Sequence, residues 1–261
     1  MTIMAFQYKV VSEAPILVAY NRDEHIERQS QAPKIQSGRP RVICGIDRKS
    51  GGTWFGVNQH SMFCCCLNRF KKDVPFNPRS RGLLCRELLN CHSAQDAAQM
   101  AVSELETGSY AGVNYVVGDM HSAHCIYGGN KVECLEIKPG LHIFSNGNMD
   151  DPNDELQDFC RRQLTLSRLD TSVAFLAVSS RTFSRKAEFP GRKSLILEGE
   201  PYQTVSSILL SLTASKHGAI LQYAPGNPGD VNYDDNSALL RQVLSTDRSS
   251  VNRPQKPSSE E

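Results

Sequence analysis

An apolar run that ends in four consecutive polar residues sets the strongest limit on how this chain can fold. Residues 16–33 read ILVAYNRDEHIERQSQAP, and the apolar half is followed directly by Asn-Arg-Asp-Glu, of which three are charged. Burial of such groups is unfavourable unless each of them finds a partner. Either this strand reaches the surface at its end, or the four residues are held together at a site.

Strand signals dominate the first part of the chain and return near its end. Residues 2–11 and 15–20 are rich in apolar and β-favouring residues, which predicts a β-hairpin at the N-terminus. Further strands are predicted at 41–47, in a hairpin over 53–70, at 110–119, 123–129, 131–140 and 141–146, and at 192–199 and 219–225.

Helical signals lie between the two groups of strands. Leucines at helical spacing predict a helix over 80–90, and a second helix over 93–106 begins with Ser93 and Asp96 in a capping-box-like pattern. Residues 154–180 alternate helical signals with polar gaps. Separate blocks of strands and helices favour an α+β fold over alternating βαβ units. We expect one domain over residues 2–246, followed by a disordered tail over 247–261, which is polar and has no periodicity.

Composition excludes several classes of protein. Hydrophobic residues make up 39% and charged residues 22% of the 261 residues, as in ordinary soluble proteins. A net charge of +1 gives no electrostatic reason to expect nucleic acid or an anionic membrane as the main partner. No apolar run approaches the ~20 residues of a membrane span. Nine cysteines without a C-x-x-C motif fit free thiols in a reducing cytoplasm better than disulfides or a zinc site.

Polar residues recur where predicted strands end. Besides the Asn-Arg-Asp-Glu run, these are Asn68, Asn114, Asn146 and Arg192. Each of them alone is more typical of a turn or a cap, yet amides and guanidinium groups also bind the developing oxyanion in acyl transfer. No phosphate-binding glycine motif is present, and we predict no cofactor.

Other chemistry-bearing residues favour packing. Cys64 and Cys66 share one face of a predicted strand near His60, a pattern that buried packing explains better than a metal site. Trp54, the single tryptophan, is typical of a core residue.

The motifs NRDE, GGTWFGV, LNRF, SRGLL, YAGVNYVVGD and HIFSN occur in one order and spacing that resembles a known family. The resemblance is to the NRDE proteins, the transport and Golgi organization protein 2 family, and it runs from Thr2 to about residue 197. This family resembles the N-terminal nucleophile hydrolases, which implies a four-layer αββα sandwich. Where family members carry a Tyr-Gly-Thr-Arg type of stretch, this chain has FPGRKSLIL.

The resemblance also implies roles for five side chains. Arg22 and Asp23 would lie beside the first residue of the mature chain. Asn68 would resemble an oxyanion-hole amide and Asn146 a second orienting amide, while Arg192 would be a late-strand arginine near the nucleophile. The ligand implied is a small molecule, acyl-bearing or hydrophobic.

This chain departs from the family at residue 2, where Thr2 stands in place of the usual cysteine. An N-terminal threonine can attack an amide with its own amine as the base. One hypothesis is therefore an amidohydrolase that acts on a non-peptide C–N bond with Thr2 as nucleophile. The other hypothesis is a catalytically silent binding or trafficking factor that uses the same pocket.

Overall fold

The computed structural model describes residues 2–187 and 193–245. In chain order its strands are β1 (Ile3–Tyr8), β2 (Ile16–His25), β3 (Ser30–Gln36), β4 (Val42–Asp47), β5 (Phe55–Asn58), β6 (Phe63–Asn68), β7 (Val113–Gly118), β8 (Ala123–Gly128), β9 (Val132–Glu136), β10 (Gly140–Phe144), β11 (Tyr202–Leu212), β12 (Ile220–Ala224) and β13 (Asp234–Asp235). Its helices are α1 (Arg81–Leu88), α2 (Ala94–Glu106), α3 (Glu155–Thr165), α4 (Ser172–Phe183) and α5 (Ser237–Leu244).

The described strands form two antiparallel sheets. Spatial neighbours in the first sheet follow the order β10-β1-β2-β11-β12-β13, and those in the second follow β3-β4-β5-β6-β7-β8-β9. Because β2 pairs with β1 on one side and with β11 on the other, the Asn-Arg-Asp-Glu run ends a central strand. Asn21 pairs with both neighbouring strands, and the backbone from Arg22 to Glu24 pairs with β11.

Successive side chains of β1 point to opposite faces of the first sheet, so they pack into different layers of the fold. Met4 belongs to a core between the two sheets, together with Phe63 of β6. Ile3 points the other way, into a core shared with Phe175 of α4. A further core joins α1 and α2 to the second sheet around Leu88. Helices thus cover the outer faces of two stacked sheets, and the predicted αββα sandwich is confirmed.

Local signals placed several elements correctly. The Ser93 hydroxyl caps α2 by accepting a hydrogen bond from the Asp96 nitrogen at 3.1 Å. The hairpin over 53–70 turns at Asn58, whose side-chain oxygen accepts from the nitrogens of His60 and Met62 at 2.9 and 3.2 Å. Both contacts satisfy backbone donors that a turn or a helix start leaves open.

The late strands differ from the prediction. Residues 193–199 form no strand, although Leu195 and Ile196 are buried, so the predicted strand at 192–199 is wrong over its described part. The strand β11, which was not predicted, follows this segment and pairs with β2. The tail expected at 247–261 lies outside the described residues. Within those residues, no helix is long and apolar enough to cross a membrane.

Candidate functional site

A cavity of about 60 Å³ lies where the start of β1 and the end of β2 approach the second sheet. Both sheets, the segment before β5 and the start of α1 contribute to its lining. The lining residues are Thr2, Tyr20, Arg22, Asp23, Glu24, Arg28, Asp47, Thr53, Trp54, Cys66, Asn68, Arg81 and Gly82. Four of the six predicted site residues therefore line one cavity.

Thr2 is buried at the inner end of this cavity. Its backbone nitrogen donates to the side-chain oxygen of Asn146 at 3.2 Å. Its hydroxyl oxygen accepts from the backbone nitrogen of Asp23 at 3.4 Å, a long hydrogen bond. Within the described residues the hydroxyl makes no other hydrogen bond, so it keeps the capacity to donate a proton.

Arg22 extends across the cavity with incomplete pairing. Its guanidinium lies 4.2 Å above the Trp54 ring, and its Nη2 atom is 3.5 Å from a carboxylate oxygen of Glu24. Its Nη1 atom is buried and has no hydrogen-bond partner among the described residues. An unpaired buried donor is unfavourable by about 1–3 kcal/mol, which a ligand that accepts a hydrogen bond would relieve.

The carboxylate of Asp23 is held by Thr204 on the neighbouring strand β11. The Thr204 hydroxyl donates to its carboxylate at 2.6 Å, next to a β-bulge between Thr204 and Ser206 that changes the local register. Bulges commonly re-aim side chains beside functional sites. Burial raises the pKa of Asp23 above its ordinary value, and the hydrogen bond from Thr204 opposes that rise.

The remaining predicted residues have different positions. Asn68 lies at the end of β6, exposed, and lines the cavity from the second sheet. Asn146 is half-buried just after β10 and reaches the site through Thr2. Arg192 lies outside the described residues, so its expected place near Thr2 stays a prediction. Asn114 points away, since its side chain bonds the carbonyls of Ser145 and Gly147.

An ion-pair network at the rim of the cavity was not predicted from the sequence. Arg28 contacts Asp47 through Nη2 at 2.7 Å and Glu24 through Nη1 at 3.6 Å. Burial would raise the pKa of Asp47, but hydrogen bonds from Arg28 and Ser50 outweigh it and lower that pKa to about 2. The spacing of four residues between Glu24 and Arg28 is the one sequence signal for this ion pair. Nothing in the sequence pairs Arg28 with Asp47.

Most of the residues for which the sequence favoured a packing role do pack against other side chains of the fold. Trp54 is buried in the core between the sheets, although one face of the ring also meets the cavity through Arg22. Cys64 packs against Cys85 of α1, with 3.6 Å between the sulfur atoms. His60 contacts His92 rather than the cysteines. Across residues 2–187 and 193–245, no group of three or more metal-ligating side chains is assembled.

Comparison with known families identifies the group to which the sequence belongs. The family described as Transport and Golgi organisation 2 matches residues 1–221. The chain belongs to this family. Curated relatives include the human Transport and Golgi organization protein 2 homolog, 25% identical over 61% of this chain and 59% of the relative. The Bos taurus homolog is 27% identical over 52% of each chain. The chain thus spans between half and three fifths of these family members.

Solved structures share the fold at low sequence identity. The N-acylethanolamine-hydrolyzing acid amidase ortholog of Caenorhabditis elegans superposes with a TM-score of 0.54 at 12% identity, over 80% of this chain and 92% of that one. A mutant conjugated bile acid hydrolase from Clostridium perfringens gives a TM-score of 0.47 at 11% identity, over 91% and 92%. The amidase ortholog places this family member in the N-terminal nucleophile hydrolase fold.

Proposed function

We propose that this protein hydrolyses a non-peptide C–N bond, with Thr2 as N-terminal nucleophile after removal of Met1. The observation that carries the proposal is the position of Thr2, buried in a cavity with Arg22 and Asp23 while Asn146 binds its nitrogen. Residue 2 is small enough for the initiator methionine to be removed, which would turn that nitrogen into an α-amine. We propose that residues 2–246 act as one domain and that the protein works in the cytoplasm, where its free thiols stay reduced.

The chemistry divides into two steps. The α-amine, with an ordinary pKa of about 7.7–8.0, takes the proton of the Thr2 hydroxyl as the oxygen attacks the amide carbonyl. The Asn68 amide and the unpaired Nη1 of Arg22 are two donors at the cavity that can bind the developing oxyanion. The C–N bond then breaks, the amine leaves with the proton, and water hydrolyses the ester on Thr2.

Relatives support the class of bond. The Caenorhabditis elegans protein with the same fold is named as an ortholog of an N-acylethanolamine-hydrolyzing acid amidase, and an N-acylethanolamine contains an amide bond. In this chain Arg22 and Asn68 suit an amide carbonyl, since both offer hydrogen-bond donors at one cavity. The substrate class that we propose is therefore a small amide with an acyl group.

A second candidate function is binding without catalysis. It is favoured by Thr2 itself, because a hydroxyl is a weaker nucleophile than the thiol usual at this position of the family. The names of the curated relatives refer to transport and Golgi organization, which fits a role in trafficking or secretion. Such a factor would hold the same small, acyl-bearing or hydrophobic molecule in the same cavity.

Two measurements on the full chain test the catalytic proposal. Intact mass shows whether Met1 is absent, and a protein that retains Met1 has no Thr2 amine and rules the mechanism out. An electrophilic acyl probe should then add one acyl mass at Thr2. Thr2→Val is the matched control, since it keeps the branched shape and removes the hydroxyl. Equal labelling of the wild type and this variant would contradict the proposal.

A further inference from the structure

The loop that joins β6 to α1 exposes apolar side chains to an unusual extent. Within residues 69–80, here called the docking loop, Phe76 is fully exposed, Phe70 is 83% exposed and Val74 is 48% exposed. A single exposed apolar residue is ordinary on a protein surface. Three within seven residues of one loop, two of them aromatic, form a patch that indicates an interaction surface.

The docking loop is anchored at both ends by hydrogen bonds to the segment that precedes β7. Near its start, the nitrogen of Arg69 donates to the carbonyl of Gly112 at 3.2 Å, where a Cβ atom on Gly112 would lie 2.1 Å from the Arg69 carbonyl. Lys71 donates to the Tyr110 carbonyl at 3.0 Å. Near its end, the nitrogen of Arg79 donates to the carbonyl of Ser109 at 2.8 Å.

The same loop carries a local excess of positive charge. Residues 69–79 read RFKKDVPFNPR, which contains four basic residues and one acidic residue, although the whole chain has a net charge of only +1. Arg79 is paired with Glu104, so Arg69, Lys71 and Lys72 account for the excess. Lys72 is exposed, and so is Lys131, which lies beside Phe70 on the neighbouring surface. Aromatic rings next to lysines match the boundary between anionic headgroups and acyl chains.

The position of the docking loop relates it to the candidate site. Asn68 immediately before the loop and Arg81 immediately after it both line the cavity that contains Thr2. Both ends of the loop therefore lie beside that cavity. This relation holds whether or not Thr2 reacts.

We propose that the docking loop binds the surface of an anionic phospholipid bilayer. Phe70 and Phe76 enter the region between headgroups and acyl chains, while the lysines stay among the headgroups. A bilayer fits better than a protein partner, because a stable protein interface buries about 800 Å² on each side and three side chains on a loop supply much less. Lipid binding needs only a few inserted side chains together with cationic contacts.

Vesicle flotation of the full chain tests the proposal, with vesicles of phosphatidylcholine alone or mixed with phosphatidylserine. The wild type should float with the mixed vesicles, and high salt should weaken binding. The Phe70→Ser/Phe76→Ser variant should lose roughly tenfold in affinity for each phenylalanine. The matched control is Leu166→Ser/Val173→Ser, which removes two apolar residues that are 78% and 70% exposed outside the loop and should bind like the wild type.

The charge contribution is tested separately. Lys72→Gln should lower affinity for the anionic vesicles about fivefold and leave affinity for phosphatidylcholine unchanged. Lys34→Gln, at an exposed lysine of β3, should change neither. The proposal is overturned if the wild type does not bind anionic vesicles, or if the phenylalanine variant binds as well as its control. It is also overturned if sedimentation shows that the two phenylalanines hold copies of the chain together instead.

Discussion

Two polar clusters lie at strand ends in this protein, and in the sequence they look alike. At the end of β2, Arg22 and Asp23 meet Thr2; at the start of β7, Asn114 meets Arg69. In the second cluster the Asn114 side chain accepts from Arg69 at 3.2 Å and donates to the Gly147 carbonyl at 2.8 Å. Arg69 also donates to the Gly147 carbonyl, so the groups satisfy one another.

The cluster around Thr2 retains hydrogen-bonding capacity. Arg22 has a buried Nη1 atom without a partner among the described residues, and the hydroxyl of Thr2 still has a proton to donate. Polarity at a strand end therefore does not distinguish a site from a structural contact. Unused hydrogen-bonding capacity beside a cavity does, because a ligand or a reaction can use it. The following predictions separate the two clusters by their effects on stability and reactivity.

The largest effect is expected for Trp54, which supports Arg22 from the core side. Trp54→Ala should lower the free energy of unfolding by about 3–5 kcal/mol, because it removes a large buried ring. Arg22→Gln should lower it much less, since its contact with Glu24 is 3.5 Å long, while abolishing acyl labelling. Urea unfolding measures the free energy of unfolding of both variants. If Arg22→Gln unfolds the protein and Trp54→Ala is tolerated, the Arg22 cluster is structural.

The comparison of two asparagines tests the difference between the clusters directly. Asn114→Ala should lower the free energy of unfolding by about 3 kcal/mol, because Asn114 is buried and its hydrogen bonds with Arg69 and with the carbonyls of Ser145 and Gly147 are all lost. Asn68→Ala should change it by less than about 0.5 kcal/mol, since Asn68 is exposed. The second variant should reduce acyl labelling instead. Equal losses of stability would show that Asn68 is as structural as Asn114.

The rim of the cavity should respond to acid. The pKa of Asp47 is lowered to about 2 from 3.8, so its ionised form stabilises the folded state above pH 3.8, and this contribution is lost as pH falls towards 2. The shift corresponds to roughly 2 kcal/mol at most, because Arg28 is about a third exposed and solvent screens the pair. Asp47→Asn should therefore destabilise the protein at pH 7, and the difference from wild type should shrink towards pH 2. A difference that is independent of pH would contradict the assignment.

Much of the fold was predictable, and the failures have a common physical cause. Hairpins and capped helices are set by neighbouring residues, which is why α2 and the turn at Asn58 were located correctly. The strand β11 was missed because Ser206, Ser207 and Ser211 interrupt its apolar pattern, and these serines become buried only when the sheet packs against the rest of the fold. The short run around Leu195 looked like a strand but packs as a loop.

The candidate site was predictable only in part, for a related reason. Thr2, Arg22, Asp23 and Asn68 were found through the motifs that resemble the family, and the fold brings them to one cavity. The pairing of Arg28 with Asp47 depends on how β2, β3 and β4 approach one another, which no local pattern encodes. A catalytic role for any of these residues stays a prediction.

A small effect on stability, and the result most informative for function, is expected for Thr2→Cys. The substitution removes a hydroxyl whose one hydrogen bond is 3.4 Å long, so the free energy of unfolding should fall by less than about 1 kcal/mol. A thiolate is the better nucleophile, and oxyanion donors worth about 2.7–4 kcal/mol each in known sites serve either nucleophile. Reactivity toward activated thioesters or amides should therefore rise, as mass spectrometry of the labelled chain would show.

An exposed thiol elsewhere in the chain would also react with the probe. Cys134 is exposed, so the comparison is made in a chain that also carries Cys134→Ser. Reactivity that depends on the cavity should fall when Arg22→Gln is added to Thr2→Cys, since the unpaired Nη1 donor is then lost. Suppose instead that the thiol, with Met1 shown to be absent, reacts no faster than a free thiol. The groups around Thr2 would then lack the geometry for acyl transfer, and their unused hydrogen-bonding capacity would serve to hold a ligand without turning it over.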